Sequence, residues 1–256
     1  HSLDRRQRQM CIRDRSYKAS ASHLYYPHIA TALCDDLLPS SSGDTSVPVM
    51  SWQNVRKPTQ EAVVLFPDVL NGPVTISGII DHPESRNAIS AMQIDSQHGY
   101  TFSGNLKGSG DLAILVKGGR HAWAPGSTWT TTGWSPSETY NMVVDVAEGA
   151  KFSFHGLVQE IQGAYTWCDG AGIIKNGPGV CELTADYTTV YDPDQRNNRA
   201  YRAATMVNSG VLLVNNAKGS GVSPKSTVVV NHGAVLSGNG AIGTGGSSSP
   251  VLVCLL

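Results

Sequence analysis

Four charged residues stand close together in one polar stretch of the chain. Asp192, Asp194, Arg196 and Arg199 belong to the string YDPDQRNNR at positions 191–199. Carboxylates bind hard cations and arginines bind anionic or sugar oxygens, so a loop that contacts a ligand is one interpretation. We favour a solvated loop, because a polar string of this kind cannot enter a core and connecting segments run over the surface.

Three tryptophans fall within the string WAPGSTWTTTGW at positions 123–134: Trp123, Trp129 and Trp134. Exposed on one face, their rings would form a stacking platform for a glycan. Buried, they would fill a wide turn or a cap. We favour burial, because large apolar groups lose the most free energy when they stay in water. The glycan-binding interpretation of the three residues remains the alternative.

The other ionisable residues do not predict catalysis. Glu160, Asp169 and Glu182 are scattered, without the paired spacing that a glycosidase needs. The histidines show neither the H-x-H nor the H-E-x-x-H spacing of metal sites. We therefore expect no catalytic residue, no bound metal and no cofactor.

Composition favours short strands joined by turns. Only 15% of the 256 residues are charged and 27 are glycine, against about 25% charged residues in an average domain. A net charge of -1 gives no electrostatic basis for nucleic-acid binding. We see no apolar run of about 20 residues, so no membrane span is expected in this segment.

The cysteines leave the redox compartment open. Their number is odd and no C-x-x-C spacing occurs, so a zinc site is not expected. Cys168 and Cys181 either form a disulfide in an oxidising compartment or are two small buried apolar residues. The five are Cys11, Cys34, Cys168, Cys181 and Cys254.

The first 46 residues differ from the rest. Residues 5–15, RRQRQMCIRDR, are dense in arginine; a basic arm is one interpretation. We favour translated sequencing-adapter read-through and leave the string out of functional reasoning. SHLYYPHIATALCDDLLP at 22–39 predicts a short helix that ends before Pro39. Residues 1–46 are thus an irregular or non-native segment, and 47–256 a domain that we expect to be a fragment of a longer chain.

From about residue 47 the chain alternates short apolar runs with glycine, asparagine or proline. Runs such as AVVLF (62–66), LAILVKGG (112–119) and GVLLVNN (210–216) predict strands. A V-x-x-G unit recurs in VAEGAKFSF, VNSGVLLV and VNHGAVL. Because glycine marks tight corners, this recurrence favours a solenoid of stacked coils over a β-sandwich.

Residues 173–243 resemble the autotransporter-associated β-strand repeat. IIKNGPGVCELTADYTTVY is similar to the opening of that repeat, and the segment from Thr205 to Gly243 is similar to its continuation. Cys181 replaces a usual threonine, and a polar insertion replaces the tight turn after the tyrosine. The matching positions include Lys175, Gly177, Gly179, Leu183, Tyr187, Gly210, Leu212, Val214, Gly233, Leu236, Gly238 and Gly240.

The resemblance implies a right-handed parallel β-helix in a secreted, cell-surface or outer-membrane passenger region of a bacterium. It implies a structural or adhesive role, with glycans or host-surface ligands as partners and no catalysis. The alternative from another class is a polysaccharide lyase or hydrolase built on a β-helix.

Overall fold

The computed structural model describes residues 31–32, 49–51, 63–68, 73–77, 91–108, 111–132, 139–161, 170–187, 200–243 and 251–253. In these ranges the regular secondary structure consists of strands, without a helix. The all-β class predicted from composition is therefore confirmed. The described ranges contain no helix that is long and apolar enough to cross a membrane.

Sheet A is the longest of the sheets in the described ranges. Its strands pair in the order β1-β3-β5-β8-β11-β14-β16-β18-β20. Their bounds are β1 Thr31–Ala32, β3 Val63–Pro67, β5 Ala91–Asp95, β8 Leu112–Val116, β11 Thr139–Val146, β14 Gly170–Asn176, β16 Thr205–Val207, β18 Val228–Val230 and β20 Val251–Val253.

Sheet B runs beside sheet A along the chain. Its strands pair in the order β2-β4-β6-β9-β12-β15-β17-β19. Their bounds are β2 Val49–Ser51, β4 Val74–Ser77, β6 Tyr100–Ser103, β9 Arg120–Trp123, β12 Lys151–Phe154, β15 Val180–Leu183, β17 Val211–Val214 and β19 Val235–Ser237. A third sheet, sheet C, joins β7 Asn105–Gly108, β10 Thr128–Thr132 and β13 Leu157–Ile161.

The chain visits the sheets in a repeating order. It passes from sheet A to sheet B, in the middle of the chain also to sheet C, and then returns to sheet A. The strand pairs within all three sheets are parallel, as in β11 with β14 and β12 with β15. Parallel neighbours need a crossover connection, and here the other sheets provide it. This order is compatible with the predicted solenoid.

The recurring V-x-x-G unit is the turn from sheet A to sheet B. Val207 ends β16, Gly210 follows in the turn with φ 67°, and β17 begins at Val211. A Cβ atom on Gly210 would lie 2.4 Å from the carbonyl oxygen of Gly177 in the preceding turn. Glycine is required here both for the left-handed backbone and for the close approach of two turns.

The core lies between the sheets and changes in character along the chain. From β3 to β12 it is aromatic, with successive ring centroids 4.8 to 6.1 Å apart. From β15 onward the inward residues are mainly aliphatic, such as Leu183, Leu212 and Val214. The aromatic series is Phe66, Phe102, Trp123 and Phe154.

The predicted N-terminal helix is not supported. The two described residues of that segment, Thr31 and Ala32, form β1 and pair in parallel with Val63 and Val64 of β3. The remaining residues of 1–46 lie outside the described ranges. Beside an open sheet edge, a strand conformation gives these two residues main-chain hydrogen bonds to β3. That gain depends on a distant strand, so the local pattern that suggested a helix does not reveal it.

Candidate functional site

The structure decides between the two interpretations of Trp123 and Trp129. Their exposed fractions are 2% and 1%, so neither ring is free to stack on a glycan. Trp123 packs between Phe102 and Phe154, at centroid distances of 6.1 and 5.6 Å. Their glycan-binding interpretation is therefore wrong and the burial that we favoured is correct. Trp134 lies outside the described residues.

The insertion that we predicted to be a solvated loop is flanked in the sequence by buried residues. Asp192, Asp194, Arg196 and Arg199 lie outside the described residues, which resume at Ala200. Before and after this gap, Tyr187 and Tyr201 are fully buried and their rings meet edge to face at 5.2 Å. The Tyr187 hydroxyl accepts a hydrogen bond from the Val158 amide at 2.9 Å.

Glu160 connects the base of this insertion to sheet C. Its buried carboxylate pairs with the Nε group of Arg202 and accepts the Ala171 amide hydrogen at 3.1 Å. Burial raises the pKa of Glu160, and the Arg202 charge opposes that shift. The carboxylate that looked isolated in the sequence is thus a structural contact between three segments.

Lys175 is a buried cation whose partners are main-chain carbonyls. Its Nζ donates to the carbonyls of Asn176 at 2.5 Å, Gly177 at 2.7 Å and Ser209 at 3.2 Å. The Ser209 carbonyl belongs to the next turn, so one ammonium group links two successive turns. Burial lowers the pKa of Lys175.

The other repeat-motif residues have structural positions. Leu183, Tyr187, Leu212 and Val214 are buried, and Leu236 packs partly against the core. Cβ atoms on several motif glycines would come within 2.1 to 2.4 Å of atoms in the preceding turn. These are Gly177, Gly179, Gly210, Gly238 and Gly240; Gly233 has a left-handed φ of 78° and open space instead.

Asparagines form a ladder at the corner between sheets A and B. The amide nitrogen Nδ2 of Asn208 donates to Oδ1 of Asn176 at 2.9 Å, and Nδ2 of Asn231 donates to Oδ1 of Asn208 at 2.6 Å. The hydrogen bonds all run in the same direction along the sheets. The asparagines at turns, noted in the sequence, are therefore bonded from one turn to the next.

Glu182 is the centre of a similar network on the outer face of sheet B. Its carboxylate accepts from the Ser153 hydroxyl at 2.8 Å and the Asn215 amide at 2.7 Å, and it pairs with Lys151 at 2.7 Å. Burial would raise its pKa, but the hydrogen bonds from these three partners lower the pKa of Glu182 to about 2.

A cluster of Asp68, Ser96 and His98 lies at an N-terminal corner between sheets A and B. Oδ1 of Asp68 lies 2.7 Å from the Ser96 Oγ and 2.7 Å from the His98 Nδ1. The Ser96 hydrogen bond, and after it the His98 bond, lowers the pKa of Asp68. Because the Ser96 hydroxyl bonds Asp68 and not the imidazole, these residues do not form a nucleophile and base pair.

His121 lies on the inner side of the same corner and is 3% exposed. Its Nδ1 accepts the Tyr100 amide hydrogen at 3.0 Å, and its Nε2 donates to the Gly118 carbonyl at 2.7 Å. Burial lowers the pKa of His121, while the Gly118 and Ser96 main chain and the Asp68 charge oppose this. The spacing of the histidines along the sequence does not predict these partners of His121.

No disulfide involves Cys181, which is a buried free thiol. Burial raises its pKa to about 12. Its predicted partner, Cys168, lies outside the described residues. Within the described ranges, no group of three or more histidine, cysteine, aspartate or glutamate residues could hold a metal ion.

Comparison with known proteins identifies no relative of the chain. No family model matches it, and neither a curated protein nor a solved structure gives a match. The fold alone defines the class: an all-β protein built of parallel sheets.

Proposed function

We propose that this chain is a segment of a right-handed parallel β-helix that serves as a structural scaffold at the surface of, or outside, a bacterial cell. The repeating order A, B, A of the strands and the glycine turns between sheets A and B support the β-helix. The handedness, the passenger assignment and the location come from the repeat resemblance of residues 173–243.

The observation that carries the scaffold role is the use of polar side chains between turns. Glu182, Lys175 and the Asn176–Asn208–Asn231 ladder direct their polar atoms at the adjacent turn, where they hold parallel strands in register. In a solenoid the stability is roughly a sum over neighbouring units, so such contacts stiffen the whole length. A stiff rod that displays its loops is the function this arrangement supports.

We also propose adhesion to glycans, through residues other than the buried Trp123 and Trp129. A glycan array probed with the full chain tests it, using Trp134→Ala against Trp129→Ala after thermal melts have shown which variants fold. We expect any glycan signal to be lost with Trp134 or with the 192–199 stretch. A signal that is lost in a folded Trp129→Ala variant but kept in Trp134→Ala contradicts this assignment.

Surface location is tested in the source cells. Antibodies raised against the full chain should label intact cells, and external protease should remove the label while a cytoplasmic marker stays intact. Label that appears only after the cells are lysed contradicts the location. The same purified chain, incubated with acidic and neutral polysaccharides, should release neither reducing nor unsaturated sugar ends; release of either favours the enzyme alternative.

A further inference from the structure

The corner around His121 holds two successive coils together in an unusual way. Strand β6 aligns with β9 through two residue pairs, Thr101 with Ala122 and Phe102 with Trp123. By contrast, β9 aligns with β12 through four pairs. At the start of β6, the Tyr100 amide hydrogen bonds to the His121 imidazole. At Tyr100, the titratable His121 side chain thus supplies the acceptor that a main-chain carbonyl of β9 would supply in a longer pairing.

The hydrogen bonds fix the neutral form of this imidazole. A carbonyl oxygen can only accept, so the 2.7 Å contact with the Gly118 carbonyl places the ring hydrogen on Nε2. Nδ1 then carries the lone pair that accepts the Tyr100 amide hydrogen at 3.0 Å. An imidazolium has hydrogens on both nitrogens, so protonation would leave two N–H donors facing each other inside the coil.

We propose that His121 is an acid-sensitive joint, at which protonation of Nδ1 releases the Tyr100 main chain and loosens β6 from β9. Histidine is the side chain that ordinarily changes charge between pH 5 and 8. The step adds one proton from solvent to Nδ1 and breaks one hydrogen bond, without a covalent change. The joint lies between the coil of β5, β6 and β7 and the coil of β8, β9 and β10, which also pair through β5 with β8 and through β7 with β10. It adds a local conformational response to the scaffold role.

The surroundings of His121 include influences that favour its charged form and influences that favour its neutral form. Asp68, across the corner, favours the imidazolium, as do the carbonyl of Gly118 and the main chain of Ser96. Burial opposes the imidazolium and is the largest influence. His98 is on the outer side of the corner with Asp68, and Arg120, next in sequence to His121, is exposed.

The sign of the pH dependence follows from these directions. The pKa of His121 in the folded coil is below its ordinary value of 6.5. An opened joint therefore takes up a proton more readily than a closed one, and the joint weakens as the pH falls below about 6.5. Above that pH the contribution of His121 to the closed state is complete.

Hydrogen exchange read by mass spectrometry on the full chain tests the joint. We compare pH 7.5 with pH 5.0, and divide each rate by that of an unstructured reference peptide at the same pH. In the wild type, protection of the amides of residues 100–103 should be lower at pH 5.0 than at pH 7.5, because the opened joint binds a proton more readily than the closed one. Protection in β15 and β17 should stay unchanged.

Two matched variants assign the effect. His121→Gln carries no titratable group and should show equal protection of residues 100–103 at both pH values. His98→Gln removes the outer imidazole of the same corner and should keep the wild-type loss in acid. Acid loss that persists in His121→Gln overturns the proposal, and so does wild-type protection that is the same at both pH values.

A measurement on the wild type keeps the test decisive if His121→Gln does not fold. Nitrogen-15 spectra of the histidine rings report the protonation of Nδ1 directly. We expect Nδ1 of His121 to be unprotonated at pH 7.5 and to gain its proton over the same pH range in which residues 100–103 lose protection. Protection that falls while Nδ1 stays unprotonated overturns the proposal.

Discussion

At the scale of single residues, Lys175 shows how main-chain carbonyls can stabilise a buried cation. Three main-chain carbonyls around Nζ replace the water that the ammonium group loses. The desolvation of a charge is costly unless hydrogen bonds compensate it, and here they come from two successive turns. The lysine is therefore a main-chain crosslink, and its removal leaves carbonyls without a donor.

Lys175→Met should lower the free energy of unfolding by about 2 to 4 kcal/mol, because the carbonyls of Asn176, Gly177 and Ser209 lose their buried donor. Urea denaturation at pH 7 measures the change. Lys218→Met, at an exposed position, is the matched control and should stay within about 0.5 kcal/mol of the wild type. Equal effects of the two substitutions would contradict the crosslink.

Glu182 should make stability depend on acid. Its pKa of about 2 is below its ordinary 4.5, so its stabilising contribution is complete above pH 4.5 and is lost as the pH falls toward 2. Thermal melts between pH 2 and 6 should show a smaller fall in Tm for Glu182→Gln than for the wild type. Glu148→Gln, at an exposed turn position, should follow the wild-type curve.

At the scale of elements, the turns between sheets A and B control how closely the coils stack. Gly149 and Gly210 both have left-handed backbones, with φ of 76° and 67°. Around Gly149 there is nothing within 4 Å of an added Cβ, whereas around Gly210 the Gly177 carbonyl oxygen is 2.4 Å away. A substitution at Gly149 therefore measures the free-energy cost of the left-handed backbone alone. A substitution at Gly210 measures that cost together with the cost of the close approach.

Gly149→Ala should destabilise by about 1 to 2 kcal/mol, the usual cost of a left-handed conformation for a residue with a Cβ atom. Gly210→Ala should destabilise more, because the main chain of two turns must also move apart. Chemical denaturation of both variants measures the difference. If Gly149→Ala is equally destabilised or more so, the close approach at Gly210 is not what limits the turn.

Several elements were predictable from the sequence, and the reasons differ by residue. The strand runs at 62–66, 112–119 and 210–216 overlap β3, β8 and β17, because alternation and glycine boundaries are local signals. The V-x-x-G unit predicted the turns for the same reason. The contacts of Asp68 with Ser96 and of Tyr100 with His121 join residues 28 and 21 positions apart. Those depend on how the coils align, and no local pattern encodes the alignment.

At the scale of the whole molecule, nearest-neighbour stacking should make distant substitutions independent. Phe102 and Trp123 belong to adjacent strands of sheet B and their rings are 6.1 Å apart. Val228 in β18 lies several coils away along sheet A. In a solenoid, each coil interacts with the coils on either side of it.

The double variant Phe102→Leu with Val228→Ala should lose the sum of the two single losses in free energy of unfolding, within about 0.5 kcal/mol. Phe102→Leu with Trp123→Leu should deviate from additivity by about 0.5 kcal/mol or more, because the two rings share a contact. A double-mutant cycle by denaturation measures both. Coupling of equal size in the two pairs would mean that the coils do not behave as separate neighbours.

The one-way donor direction of the asparagine ladder also bears on how such a gene can change in length. Asn208, in the middle of the ladder, accepts from Asn231 of the following turn and donates to Asn176 of the preceding one. A duplication of one whole coil would therefore place a new asparagine between two existing ones with both bonds satisfied. A deletion of a whole coil would close the gap in the same way. In the proposed β-helix, recombination that adds or removes whole coils can thus alter the length of the protein without redesigning its interior.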